Sequence, residues 1–109
     1  MSYDHSLAQR IRDELSQLPD VQEKKMFGGV AFLVQGNLAC GVNGEELIVR
    51  VGLKRHEEAL SQPHTRPFDM TGRPMSGWIM VAPKGYQNES DLRDWVRQGV
   101  EFARSLPAK

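Results

Sequence analysis

A chain of 109 residues has room for one core of ordinary size, and it reads as one domain over 1–109. Its 39% hydrophobic and 26% charged content is that of a soluble globular protein, and no run approaches the ~20 apolar residues that span a bilayer. Fourteen Lys and Arg balance fourteen Asp and Glu, which argues against a dedicated nucleic-acid binder, whose affinity rests on a basic excess.

The single cysteine, Cys40, excludes an internal disulfide. The opening "MSYDHSLAQRIRDEL" lacks the unbroken apolar stretch of a signal peptide, so a cytoplasmic protein without a membrane partner is expected. In the first predicted helix Leu7, Ile11, Leu15 and Leu18 recur at i, i+4, i+8 and i+11, flanked by Arg10, Arg12, Asp13 and Glu14. Asp4 or Ser6 caps its start, and Pro19 stops it.

A strand through "QEKKMF" enters a sharp corner at Gly28-Gly29. Beyond it, Gly36-Asn37 suits a type II′ hairpin loop and Asn43-Gly44 a type I′ loop. Counting outward from these loops sets Gln35 opposite Leu38, Leu33 opposite Cys40, and Cys40 opposite Leu47. Side chains alternate across a sheet, so the register sorts them. One face collects Ala31, Leu33, Leu38, Cys40, Val42, Leu47, Val49 and Val51, the expected floor for the helices. The other collects Val30, Phe32, Val34, Ala39 and Ile48, with Glu46 and Arg50 among them. That second face is too apolar for water, so a further helix or a second copy should cover it. On this reading the chain is a homodimer, and Phe32→Glu should weaken the dimer with little loss of helix.

A short helix, "LKRHEEALSQ", follows, bracketed by Gly52 and Pro63. Next comes the run "PHTRPFDMTGRPMSGW", where Phe68, Met70, Met75 and Trp78 are too apolar for a free loop. They should pin it onto the sheet edge or the helices as an ordered connector first and a contact surface second. Thr71-Gly72 reads as a turn, with Asp69 bonding backbone two residues on. "GWIMVAP" is the final predicted strand, closed by Pro83. The last helix runs from about Ser90, capped by Asn88 or Ser90, with Leu92, Val96, Gly99 and Ala103 on one side and Trp95, Phe102 and Leu106 beside them. The order α-β-β-β-β-α-β-α predicts an α+β two-layer sandwich: an antiparallel sheet of about five strands and three helices.

Catalytic signatures are sparse. Cys40 sits mid-strand on the predicted core face, where a thiol behaves as a small hydrophobe. No G-x-S-x-G elbow occurs, and the glycines lie at bends between strands rather than before a helix that could hold a phosphate. Neither catalytic nor cofactor-binding residues are assigned. His56, His64 and Asp69 form an alternative metal or ligand set, although spacings of eight and five residues match no common ligand pattern. Arg50, Lys54, Arg55, Arg66 and Arg73 outnumber Glu57, Glu58 and Asp69 by two. That excess could meet an acidic partner or phosphate, or it could be a solvated surface in which Asp69 pairs with Arg66 or Arg73.

The segments "KKMFGGVAFLVQGNLACGV", "EELIVRVG", "RPFDMTGRPMSGWIMV" and "WVRQGVEFARSLP" resemble the N-terminal domain of the TfoX/Sxy family of bacterial competence regulators. The likeness runs from the first helix to the C-terminus, and Met26-Phe27-Gly28-Gly29 before a glycine-turn hairpin is its most specific piece. The resemblance implies a secretion-chaperone-like α+β fold, often dimeric. It also implies a part in regulating DNA uptake, where longer members act with the cyclic-AMP receptor protein, and it implies no cofactor. Those longer members carry a C-terminal helical domain for which a chain ending at Lys109 leaves no room. The expected function is thus a non-enzymatic interaction and regulatory module. It would self-associate through Val30, Phe32, Val34 and Ile48, with Arg50, Arg66 and Arg73 as a polar rim or second partner surface. A transcription-associated nucleic-acid binder, or a small metal- or ligand-binding domain using His56, His64 and Asp69, is the alternative.

Overall fold

A computed structural model describes residues 3–26, 28–69 and 75–108. Helix α1 (His5–Glu14) starts where the Asp4 carboxylate accepts a hydrogen bond from the Leu7 N–H at 3.0 Å, and it turns Leu7, Ala8 and Ile11 inward. The chain then lays down β1 (Val21–Met26), β2 (Gly29–Val34), β3 (Asn37–Asn43) and β4 (Glu46–Arg50). A 3-10 turn at Leu53–Arg55 leads into α2 (His56–Leu60), followed by β5 (Thr65–Phe68), β6 (Met75–Val81), α3 (Pro83–Tyr86) and α4 (Glu89–Ser105). Asn88 caps α4, its side chain accepting from the Ser90 N–H at 2.8 Å.

All six strands join one antiparallel sheet in the order β1-β2-β3-β4-β6-β5. The α+β class holds, with β5 and α3 beyond the elements expected. Strand β5 contains Pro67 and lies at an edge, where a residue without an N–H leaves no central ladder broken.

Both hairpin loops keep two residues but begin one residue away from the expected positions. Val34 pairs with Asn37, so the first loop is Gln35-Gly36, and both residues carry the positive φ of a type I′ turn, 55° and 83°. Asn43 pairs with Glu46, making the second loop Gly44-Glu45, with positive φ at Gly44 alone, as in type II′. Leu33 faces Leu38 while Phe32 faces Cys40, which leaves Ala39 as the extra residue of a bulge in β3.

Residues paired across a sheet point to the same side, so the ladder resolves the faces. Phe32, Cys40, Val49 and Ile79 form one row, and Val30, Val42, Leu47 and Val81 the next. Both rows pack under Leu7, Ile11 and Leu15 of the α1 region, Ala59 of α2, and Leu92, Trp95 and Val96 of α4. Val34 and Ala39 pack against Ala103 of the same layer.

The expected sorting is therefore corrected on β2 and in part on β3. Val30, Phe32, Val34 and Ala39 face the helices, while Ala31, Leu33 and Leu38 lie on the opposite side. Cys40, Val42, Leu47, Val49 and Val51 are core residues as anticipated, and Ile48 takes the far face as anticipated. The physical cause is the Ala39 bulge. Moving a two-residue loop by one residue shifts each cross-strand partner by two and keeps the faces, whereas one extra residue in β3 exchanges the faces of everything on its loop and β2 side.

Three described residues of the run 63–78 pack on that far face. Phe68, Met75 and Trp78 cluster with Ile48 and Met80, and the Phe68 and Trp78 rings stack at 5.4 Å. Met70 and the Thr71-Gly72 turn lie outside the described residues.

Two contacts hold α4 to the sheet. The side chain of Asn37, buried in β3, donates to the carbonyls of Ala103 at 3.3 Å and Pro107 at 3.0 Å, closing the C-terminal end of α4. Gly99 lets the helix backbone sit directly on Ala39: a Cβ there would lie 2.9 Å from the Ala39 carbonyl carbon and nearer still to its oxygen.

Candidate functional site

Seven residues were expected to form the contact surface, and the fold scatters them. Val30, Phe32 and Val34 are buried beneath the helices and cannot touch a partner of the folded chain. Ile48 is on the far face but fully covered there. Arg66 is held by both arms to Glu46, in contacts that include Nε to Oε2 at 3.0 Å. This hydrogen-bonded pair raises the Arg66 pKa, and Asp69 adds a smaller push in the same direction. Arg73 lies outside the described residues.

The alternative metal set is not assembled either. His56 is engaged at the start of α2, its Nδ1 accepting from the Gly77 N–H at 2.9 Å. His64 sits in the turn before β5, with φ 65°, and opens onto a polar cleft of about 290 Å³ shared with Glu58, Lys84, Asp91 and Asp94. Among the described residues no group of three His, Cys, Asp or Glu is placed to hold a metal ion. Burial of Cys40 pushes its thiol up to about 12, so it is a packing group and not a nucleophile.

Arg50 is the expected site residue with the most distinctive setting. Its guanidinium lies 5.3 Å from the centre of the Trp78 ring and 5.1 Å from that of Phe102, a cation held between two π faces. It marks a corner where β4 leaves the sheet. The N–H groups of Val51 and Gly52 both donate to the Gly77 carbonyl, at 2.8 and 3.1 Å. Gly52 turns there with φ 87°, and a Cβ on it would come within 2.5 Å of the Phe102 ring. The ring therefore lies against both the bare backbone of Gly52 and the Arg50 guanidinium.

Beside this fixed ring runs a groove of about 440 Å³ between the 3-10 turn and the end of α4, lined by Val51, Gly52, Leu53, Lys54, Phe102 and Ser105. An Arg55–Glu101 ion pair of 3.1 Å sits at its rim. Leu53 is 74% exposed, far more than any other large apolar side chain among the described residues. Sequence reasoning counted Leu53 as one more position of a helix. The available signal was its place as the first residue after Gly52, an apolar side chain at the head of the otherwise polar stretch "LKRHEE".

The model of the TfoX N-terminal domain matches residues 13–103. The chain belongs to the TfoX N-terminal domain family. The match covers most of the chain, including every strand of the sheet and nearly all of α4. No curated protein and no solved structure matches it. Membership implies a TfoX/Sxy-like regulatory domain, from a family not known for enzymes. No helix among the described residues of this TfoX N-terminal domain is long and apolar enough to cross a membrane.

Proposed function

We propose that this TfoX N-terminal domain is a non-enzymatic, cytoplasmic regulatory module of a bacterial competence system that works by contact with another protein. Family membership supports the regulatory role. The observation that carries contact as the mode of action is Leu53, exposed at 74% beside an apolar groove whose wall is a clamped aromatic ring. Apolar side chains in that state on a rigid corner fit the central anchors of protein interfaces.

The test is genetic. Deleting the gene in its host should change transcript levels of DNA-uptake genes and the frequency of transformation, and the wild-type gene should restore both. A deletion with no effect on either readout would end the regulatory reading. Self-association through the sheet is a weaker version of the proposal, because the far-face side chains Leu33, Leu38, Ile48 and Met80 are already buried within one chain. Sedimentation of the wild type over a wide concentration range decides it: a monomer throughout removes the dimer.

A further inference from the structure

We infer that the groove between the 3-10 turn and the C-terminal end of α4 docks a short, acidic, apolar segment of a partner protein. The inference deepens the regulatory reading by giving the partner a chemistry.

Charge sets the sign of that chemistry. Lys54 and Arg55 line the groove, and Glu101 is the carboxylate that shares its rim. Glu101 is taken by Arg55. Among the described residues no carboxylate pairs with Lys54. A basic segment would set like charge against Lys54, whereas an Asp or Glu side chain flanking the groove would meet it.

Shape sets the class of occupant. Eight residues line the groove, against the roughly 20–30 per side of a stable interface. That footprint suits a short peptide segment better than a second copy of the domain. The floor is apolar, formed by Val51 and Phe102 with Leu53 standing beside it, which suits one or two buried anchor side chains. A nucleic-acid backbone could satisfy the cations but would leave Leu53 and the groove wall uncovered. Phe102 already rests against Arg50 and Gly52, so little side-chain freedom is lost on docking.

The experiment pans a display library of short random peptides against the whole domain, with Leu53→Asp and Leu53→Ala as counter-targets. Leu53 is exposed, so both variants should keep the wild-type circular dichroism spectrum and melting temperature. The expected result is enrichment of peptides in which Leu, Ile, Phe or Trp is flanked by Asp or Glu. The strongest of these should bind about tenfold more weakly to Leu53→Asp. Its affinity should fall with rising salt and with Lys54→Glu, and amide shifts on binding should map to Val51–Arg55 and Glu101–Ser105.

Enrichment of basic peptides, enrichment indifferent to both Leu53 variants, or no enrichment would overturn the inference. So would binding of single-stranded RNA at the same residues in preference to every peptide, or the same amide shifts on concentration alone, which would make the groove a self-contact. The two readings fail separately. If gene deletion alters DNA-uptake transcripts and Leu53→Asp restores them fully, the regulatory role stands and the groove falls. If acidic peptides dock while deletion is silent, the groove stands and the regulatory role falls.

Discussion

Replacing Gly99 by Ala sets two familiar effects against each other, and the fold decides between them. In the middle of a helix this change ordinarily stabilises by about 1 kcal/mol, because Ala restricts the unfolded chain and favours helix. Here the new methyl would sit 2.9 Å from the carbonyl carbon of Ala39, and closer to its oxygen. Comfortable separation of such atoms is about 3.5–4.0 Å, so α4 has to lift by roughly 1 Å. The obstacle is backbone, which cannot rotate away as a side-chain tip would. Lifting α4 also loosens Leu92, Trp95 and Val96, which it contributes to the core. Overpacking of this kind costs about 1–3 kcal/mol, and the upper end applies when a whole helix moves. Setting about 3 against about 1 leaves a net loss near 2 kcal/mol, a fall in melting temperature on the order of 10 °C. Urea denaturation followed by circular dichroism measures it. A variant as stable as the wild type, or more stable, would show that α4 does not rest on the Ala39 bulge.

Phe32→Glu, a change that separates a dimer if the side chain faces a partner, should instead unfold the chain, since it buries a carboxylate under the helices at a cost above about 4 kcal/mol. Normal helical content in that variant would reinstate the outward-facing reading. Asn37→Ala removes both donors to the end of α4 and should cost about 1–2 kcal/mol, with faster amide exchange confined to the last turn of the helix. Uniform exchange changes along α4 would contradict the capping role. Cys40 should resist thiol reagents at mildly alkaline pH in the folded protein and react only as denaturant is added, because burial holds its pKa at about 12. Labelling at the rate of a small-molecule thiol would place it outside the core.

Long periodic elements were legible from residues alone. The stripe of Leu7 and Ile11, the caps at Asp4 and Asn88, and the run from Leu92 to Ala103 all follow local rules, and local rules set them. The first hairpin was not legible because its type I′ loop places Gln35 at a positive φ that Asn, Asp or Gly usually takes. Asn37, the residue that looked like a loop position, is instead committed to α4, 66 and 70 residues further on. No local pattern announces a partner at that distance. The displaced loop alone would have kept the faces; the extra residue at Ala39 shifted the register by one, which is why Cys40 and Val42 were assigned the right face while Val30, Phe32 and Val34 were not. Four-residue β5, with a proline in it, gave no alternating signal to read.

The candidate site was harder still, because its parts come from three separated stretches: Arg50 to Arg55, Gly77 with Trp78, and Glu101 to Ser105. Arg50 was picked for its charge, yet its position depends on two rings that no spacing rule connects to it. The corner also explains why an exposed leucine can persist beside a buried valine. At Gly52 the alternation of the sheet ends, and the 3-10 turn that follows owes nothing to the core: none of its three residues is buried. Residues released from packing in this way are free to carry contact chemistry, provided their backbone is fixed. Here it is fixed twice, by the paired hydrogen bonds to Gly77 and by the bare face of Gly52 against Phe102. A rigid corner that presents an apolar side chain loses little entropy on binding, so the same features that terminate β4 give Leu53 its value as an anchor.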